Sequence, residues 1–314
     1  MFQFLRRRKR KNPATVGVAF GPDGFALARV HAGNHDAAPH VDAPGWFPAT
    51  DAATLARRLE DCVSERDFTR HQAVGVLAPG DYQVLQVEAP NVPAAEMNQA
   101  AAWRVRDLVD MPLDQAVIDT FQPPESAQRG ERQINVVVAR RSVVEERVQM
   151  LKDAGMDLVA IDIPELVQRN ICLRLAEARG GHALLALDDH DGLLTVFRDG
   201  ELFLARSLDT GLNALAAGDD ESVDALLLEV QRSFDYFESA LSQPPLGALY
   251  IYPPAADPER VAAAVTEGLS GVDCRCVGLA DIASVDGTLD PDAERAPALH
   301  AVGAALRERE VAPA

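Results

Sequence analysis

The sequence predicts an α/β chain of two lobes related by internal duplication, and three observations predict it. Apolar, strand-like runs alternate with amphipathic, helix-like stretches along the chain, the pattern that builds sheets covered by helices. The opening VGVAFGPDGFALARV (from Val16) returns as ALLALDDHDGLLTVF (from Ala183). Both are apolar strand, acidic glycine turn and apolar strand, so the second lobe opens as the first does. Between the copies, Tyr82 to Ile163 reads β-α-β-β-α-β, which resembles a split βαβ unit.

A length of 314 residues suits two domains of ordinary size. Hydrophobic content of 47% with 25% charged residues is that of a soluble globular protein. No apolar run approaches the roughly 20 residues of a membrane span, and no cleavable signal peptide is visible. The scattered Cys62, Cys172, Cys274 and Cys276 read as reduced thiols of a cytoplasmic protein. Cys274-Arg275-Cys276 lacks the further Cys or His that zinc needs, so no metal site is expected. The net charge is −18. The first eleven residues carry six positive charges, on Arg6, Arg7, Arg8, Lys9, Arg10 and Lys11, which leaves −24 on the remainder. An acidic body of that size repels nucleic acid.

In chain order, Phe2, Phe4 and Leu5 precede the basic run. This is either a membrane-surface foot, gaining about 1 kcal/mol per basic residue from anionic headgroups, or a solvated terminus. Thr15 to His31 reads as a hairpin turned at Gly21-Pro22-Asp23-Gly24. Thr50 to Glu65 is helical with Asp51 as cap. Strands follow at Ala73–Leu77 and Tyr82–Val87, then a helix from Ala94 to Val109, stopped before Met111-Pro112. Gln115–Gln122 and Ile134–Ala139 are strands, Val143–Ala154 is a helix ending at Gly155, and Leu158–Ile163 is a strand. Pro164 opens a helix that runs to Ala178. The second copy holds strands at Ala183–Leu187, Leu193–Phe197 and Glu201–Ser207. A long helix spans Asp219 to Leu241, and then come strand, helix, strand and a last helix over Ala296–Leu306.

Three groups are candidates for function. The helix ending WRVRDLVD presents Trp103, Arg104, Arg106 and Asp107. Tryptophan and arginine anchor partner contacts, against the plain alternative of a core helix with a solvated face. The turn with Gly21, Asp23 and Gly24 has the backbone of a phosphate cradle but no Lys or Ser/Thr to hold phosphate or Mg²⁺. Asp188 and its neighbours, with Gly192, make either a cation-positioning turn or a solvated acidic one.

The chain resembles the PilM family of actin-like type IV pilus assembly proteins, and within it the MSHA pilus branch. Four stretches carry this: YQVLQVEAPNVPAAEMNQAAAWRVRDLVDMPLDQAVIDTF from Tyr82, INVVVARRSVVEERVQMLKDAGMDLVAIDIPELVQRNI from Ile134, LLTVFRDGELFLARSLDTG from Leu193 and LEVQRSFDYFESALSQPP from Leu228. The basic N-terminus is also typical. The resemblance implies a bilobed actin-like fold, a ribonuclease H-like duplication with an inserted β-α-β-β-α-β subdomain. Residues 1–14 would be a basic tail, 15–181 the first lobe with the subdomain at 82–163, and 182–310 the second lobe. It implies a place at the cytoplasmic face of the inner membrane, binding to the tail of a PilN-like protein in a groove beside the subdomain, and a link to the pilus motor ATPase. By position, the helix at Trp103 and Arg106 is expected to wall that groove.

The chain departs from the family where ATP binds. The first phosphate loop of the family carries Gly-Ile-Asp; here Gly17-Val18-Ala19 has no carboxylate. The glycines of the adenosine segment are replaced by Tyr252-Pro253-Pro254, and prolines remove N–H donors. Asp188, Gly192 and, further on, Gly211 survive from the second loop. A cation site short of a carboxylate holds Mg²⁺–nucleotide poorly, so weak or absent ATP binding, no hydrolysis and no cofactor are expected. The rival readings are an actin-like ATPase whose nucleotide state regulates assembly, and the cytoplasmic domain of a GspL-like type II secretion protein. The second is disfavoured because no membrane span follows the domain.

Overall fold

The structure, a computed structural model, describes residues 14–31, 39–127, 131–175, 181–216, 220–253, 258–269, 271–285 and 295–307. The run from Phe2 to Lys11, with Gly180 and Pro254, lies outside them. Gly21 pairs with Gly24 across a two-residue turn, closing β1 (Thr15–Gly21) on β2 (Gly24–His31). β3 (His40–Pro48) continues antiparallel to β2. α1 (Ala52–Glu65) begins where the Asp51 carboxylate accepts the Thr54 N–H at 2.8 Å, satisfying a donor that the first turn leaves free. β4 (Gln72–Val76) then lies parallel to β1.

β5 (Tyr82–Glu88), α2 (Met97–Val105), β6 (Ala116–Phe121) and β7 (Gln133–Arg140) form a separate unit, an antiparallel sheet of order β5-β7-β6 with one helix. α3 (Arg141–Asp153) stops at Gly155, whose φ of +82° is a conformation glycine adopts at no steric cost. β8 (Asp157–Asp162) pairs parallel with β4, and Pro164 opens α4 (Pro164–Cys172).

The second lobe repeats the scheme. β9 (His182–Leu187), β10 (Gly192–Arg198) and β11 (Glu201–Leu208) form a meander, followed by the short α5 (Leu212–Ala216) and by α6 (Asp220–Asp235), which runs into a π turn at Tyr236–Ala240. Then come β12 (Ala248–Tyr252), α7 (Pro258–Gly268), β13 (Asp273–Cys276), the single turn α8 (Leu279–Ile282), β14 (Ser284–Val285) and α9 (Ala296–Ala305). The orders β3-β2-β1-β4-β8 and β11-β10-β9-β12-β13 match strand for strand. Each is an antiparallel meander flanked by two parallel strands, so the duplication is visible in the topology.

Four expectations need correction. β8 belongs to the first lobe's main sheet, so the inserted unit is 82–140 rather than 82–163. Its preceding helix α3 sends Met150 and Leu151 into one core with Leu59 and Val63 of α1. The second lobe is not confined to its own sheet: β14 pairs with β3, and α9 packs on β1 and β2. α2 ends at Val105, not Val109, because Asp107 and Asp110 would face the negative end of the helix dipole. α4 ends at Cys172, after which the Arg174 N–H bonds three residues back to the Ile171 carbonyl at 2.8 Å.

α9 is buried on every side and forms the joint between the lobes. Gly17 lets it lie directly on β1: a Cβ there would sit 1.8 Å from the Ala301 carbonyl oxygen. Gly303 does the same toward α4, where a Cβ would come within 2.5 Å of the Val167 oxygen. A polar triad crosses this joint. The Thr195 hydroxyl of β10 donates to Gln168 of α4, and the Gln168 amide donates to Nε2 of His300 on α9 at 3.1 Å. Burial pushes the imidazole down to about 3, so His300 stays neutral.

Candidate functional site

The three-stranded sheet has two faces of different character. Leu85, Val87, Ile134, Val136 and Val138 pack under α2. Tyr82, Val84, Gln86, Phe121 and Asn135 point the other way and line a groove of about 450 Å³. The facing wall is β11 of the second lobe, where six consecutive residues, Leu202 to Ser207, line the cavity. Successive side chains of a strand alternate between faces, so an unbroken run means that the strand presents its edge. β5 and β11 are both outermost in their sheets. The groove therefore lies between one face of the small sheet and the edge of β11, which has backbone donors and acceptors to offer.

Side chains bridge the groove's margins. The Tyr82 hydroxyl, at the start of the inserted unit, donates to Oε2 of Glu165 at 2.7 Å. Glu165 lies in the first turn of α4 and is buried at 8% exposure. Burial pushes its carboxyl above the usual range, against the Tyr82 hydrogen bond. Elsewhere Gln243 donates to the Ser126 carbonyl at 2.9 Å, tying the second lobe to the inserted unit. The Arg206 guanidinium stacks 5.1 Å from the Tyr236 ring centroid.

α2 is not a wall of this groove. Trp103 is 64% exposed, and the Arg106 guanidinium stands 5.8 Å from its ring centroid. Arg104 pairs with Glu88 at 3.8 Å, and Asp107 is exposed. Trp103 and Arg104 sit on α2, which covers the opposite face of the small sheet, Arg106 and Asp107 follow its end, and none of the four lines the groove.

The glycine turns of the two lobes meet in a second place. Asp23, in the β1–β2 turn, and Asp189, beside Asp188 in the β9–β10 turn, share one cation. Arg295 donates to Asp189 at 2.9 Å and lies 3.8 Å from Asp23. Its guanidinium also stands 5.3 Å from the Trp46 ring centroid. Packing accounts for the glycines. A Cβ on Gly21 or Gly24 would come within 2.8 Å of the Trp46 indole, and one on Gly192 within 2.9 Å of Leu187. A Cβ on Gly211 would strike the backbone of residues 188–191, where the Leu212 N–H bonds to the Asp188 carbonyl at 2.8 Å. Burial raises the Asp188 carboxyl above its ordinary range. Among the described residues no group of three His, Cys, Asp or Glu side chains is placed to hold a metal ion. No described helix is long and apolar enough to cross a membrane.

Sequence reasoning missed Glu165, the β11 edge and Arg295. Tyr82 and Glu165 are 83 residues apart, and Arg295 meets Asp189 across 106 residues. Nothing local announces either pair. The edge status of β11 had one signal, an ending that is followed by helix rather than by another hairpin.

No protein-family model and no curated protein matches the chain. Solved structures do. The chain is similar to a chain of a PilM–PilN type IV pilus biogenesis complex, at 22% identity and a TM-score of 0.69 over 94% of this chain and 98% of that one. It is similar to the cytoplasmic domain of EpsL, an inner-membrane component of the type II secretion system of Vibrio cholerae, at 13% identity and 0.50 over 96% and 98%. A Bacteroides thetaiotaomicron protein of actin-like ATPase fold matches at 10% and 0.51 over 84% and 91%. With the matched strand orders of its two lobes, the chain has a bilobed actin-like fold.

Proposed function

We propose that this chain is a PilM-type adaptor of a type IV pilus assembly machine, specifically of the MSHA branch to which MshI belongs. Its groove would hold the cytoplasmic tail of a PilN-like inner-membrane protein as an added strand. The observation that carries this is the free edge of β11, which faces the small sheet of the inserted unit across the groove. Main-chain hydrogen bonds give such strand addition its affinity, and side-chain pockets give it specificity. Six residues of β11 span about 20 Å at roughly 3.4 Å each, room for a similar number of peptide residues. The likeness to a chain of a PilM–PilN complex supports the same occupant.

The adaptor works without ATP hydrolysis in this reading. By the resemblance, Ala19 takes the place of a cation-binding carboxylate, and Arg295 and Trp46 stand beside the two hairpin turns. These residues do not suit a magnesium–nucleotide, and no step runs through one. The chain would sit at the cytoplasmic face of the inner membrane. The partner's tail would hold it there, helped by the basic run from Arg6 to Lys11 on anionic lipid, and it would connect the membrane complex to the motor ATPase. Co-sedimentation with anionic liposomes tests the lipid contact; equal binding by a chain lacking residues 2–11 removes it.

The likeness to EpsL supports a second reading, a GspL-like component of a type II secretion system. Fluorescence anisotropy with labelled cytoplasmic peptides of the PilN-like protein separates the two. Saturable binding that is lost in Val84→Arg, which fills the groove, supports the adaptor. Absence of binding sinks it.

A further inference from the structure

We infer that the groove's occupant presents a cationic group, an ammonium or a guanidinium, to the Glu165 carboxylate. This rests on the peptide-groove reading and adds to it a chemical requirement on the partner. Glu165 is the acidic group of the groove lining, is more than nine-tenths buried, and accepts the Tyr82 hydroxyl at 2.7 Å. Among the described residues no arginine or lysine forms an ion pair with it. Neighbouring Asp162 has its own partner in Arg307, and the groove's arginine, Arg206, is stacked on Tyr236.

A buried carboxylate without a countercharge is costly, and a protein relieves the cost by neutralising the group or by pairing it. In the free chain burial raises the Glu165 carboxyl, which moves toward the first of these remedies while the Tyr82 hydrogen bond opposes it. A cation arriving with the peptide supplies the second. The Tyr82 hydrogen bond fixes one carboxyl oxygen, so the group is already oriented when the cation arrives. Glu165 thus sets which peptide side chain, or which terminus, takes this position. The general negative charge of −18 attracts any basic peptide. The contact must therefore be separated from that background.

The experiment measures the affinity of the PilN-like protein's cytoplasmic peptide for the wild-type chain, Glu165→Gln and the control Glu60→Gln. Glu60→Gln removes one negative charge from an exposed site on α1, away from the groove lining. The peptides are the native sequence, versions with each Lys or Arg replaced in turn by norleucine, and an N-acetylated form. Glu165→Gln is expected to weaken the native peptide by about tenfold or more, as loss of a charge-assisted contact does, and Glu60→Gln to change little. One modified peptide should lose as much against the wild type and be indifferent to Glu165→Gln. That peptide shows whether the cation is a side chain or the amino terminus. Tyr82→Phe, which keeps the ring, should lose part of the same affinity, for that cation alone. If Glu165→Gln binds every peptide as the wild type does, or weakens charged and uncharged peptides alike, the inference is overturned while the groove stands. If the wild type binds no peptide, the groove reading falls, and the inference with it.

Discussion

Lowering the pH should loosen the joint between the lobes through one residue, His300. It is buried, bonded to Gln168 and held at about 3 by burial, against an ordinary 6.5 in the unfolded chain. Between those values the unfolded chain takes up a proton that the folded chain refuses. Stability is therefore complete above about pH 6.5 and falls as the pH drops, with a slope approaching about 1.4 kcal/mol per pH unit. Integrated from pH 7 to pH 5, the loss is about 2 kcal/mol. Other groups titrate in the same window. Burial raises Glu165, which holds its proton more readily when folded and so favours the folded state at low pH. The measurement is therefore a difference between the wild type and His300→Gln, which keeps an acceptor for the Gln168 amide. Urea unfolding followed by circular dichroism at both pH values should show the wild type losing about 2 kcal/mol more than the variant. Parallel pH profiles would refute the reasoning.

Three further outcomes are expected. Gly17→Ala places a methyl 1.8 Å from the Ala301 carbonyl oxygen; it should cost about 3 kcal/mol or more in chemical denaturation, as forced overpacking does, and a loss below about 1 kcal/mol would show that α9 does not press on β1. Isothermal titration with Mg-ATP should give no micromolar binding, and a micromolar dissociation constant would overturn the nucleotide-free reading. Trp103→Ala and Arg106→Glu lie outside the groove, so each should leave peptide affinity unchanged; a tenfold loss in either would return α2 to the binding surface.

Much of the fold was legible because each lobe repeats one strand–turn–strand pattern, and because turns such as Gly21 to Gly24 and stops such as Gly155 are set by backbone conformation. The sheet that a strand joins was not legible. Leu158 to Ile163 reads as a strand in any assignment, and its partner β4 lies beyond the whole inserted unit. The helix with Trp103 drew attention because tryptophan and arginine stand out in a sequence. The groove is built from ordinary residues on one face of the small sheet and along β11, whose importance comes from being an edge. Arg295 was invisible for a related reason: its two carboxylates come from turns of different lobes. The Glu165–Tyr82 pair likewise forms only when α4 meets the start of the inserted unit.

Hydrogen exchange on the full chain, with and without the PilN-like cytoplasmic peptide, is the most direct measurement of whether a partner strand fills the groove. Added peptide should slow exchange along Glu201–Leu208, because that edge gains backbone hydrogen bonds, and should leave α2 and the two hairpin turns as they were. Protection confined to α2 or to the turns at Asp23 and Asp189, or no protection at all, would contradict the account.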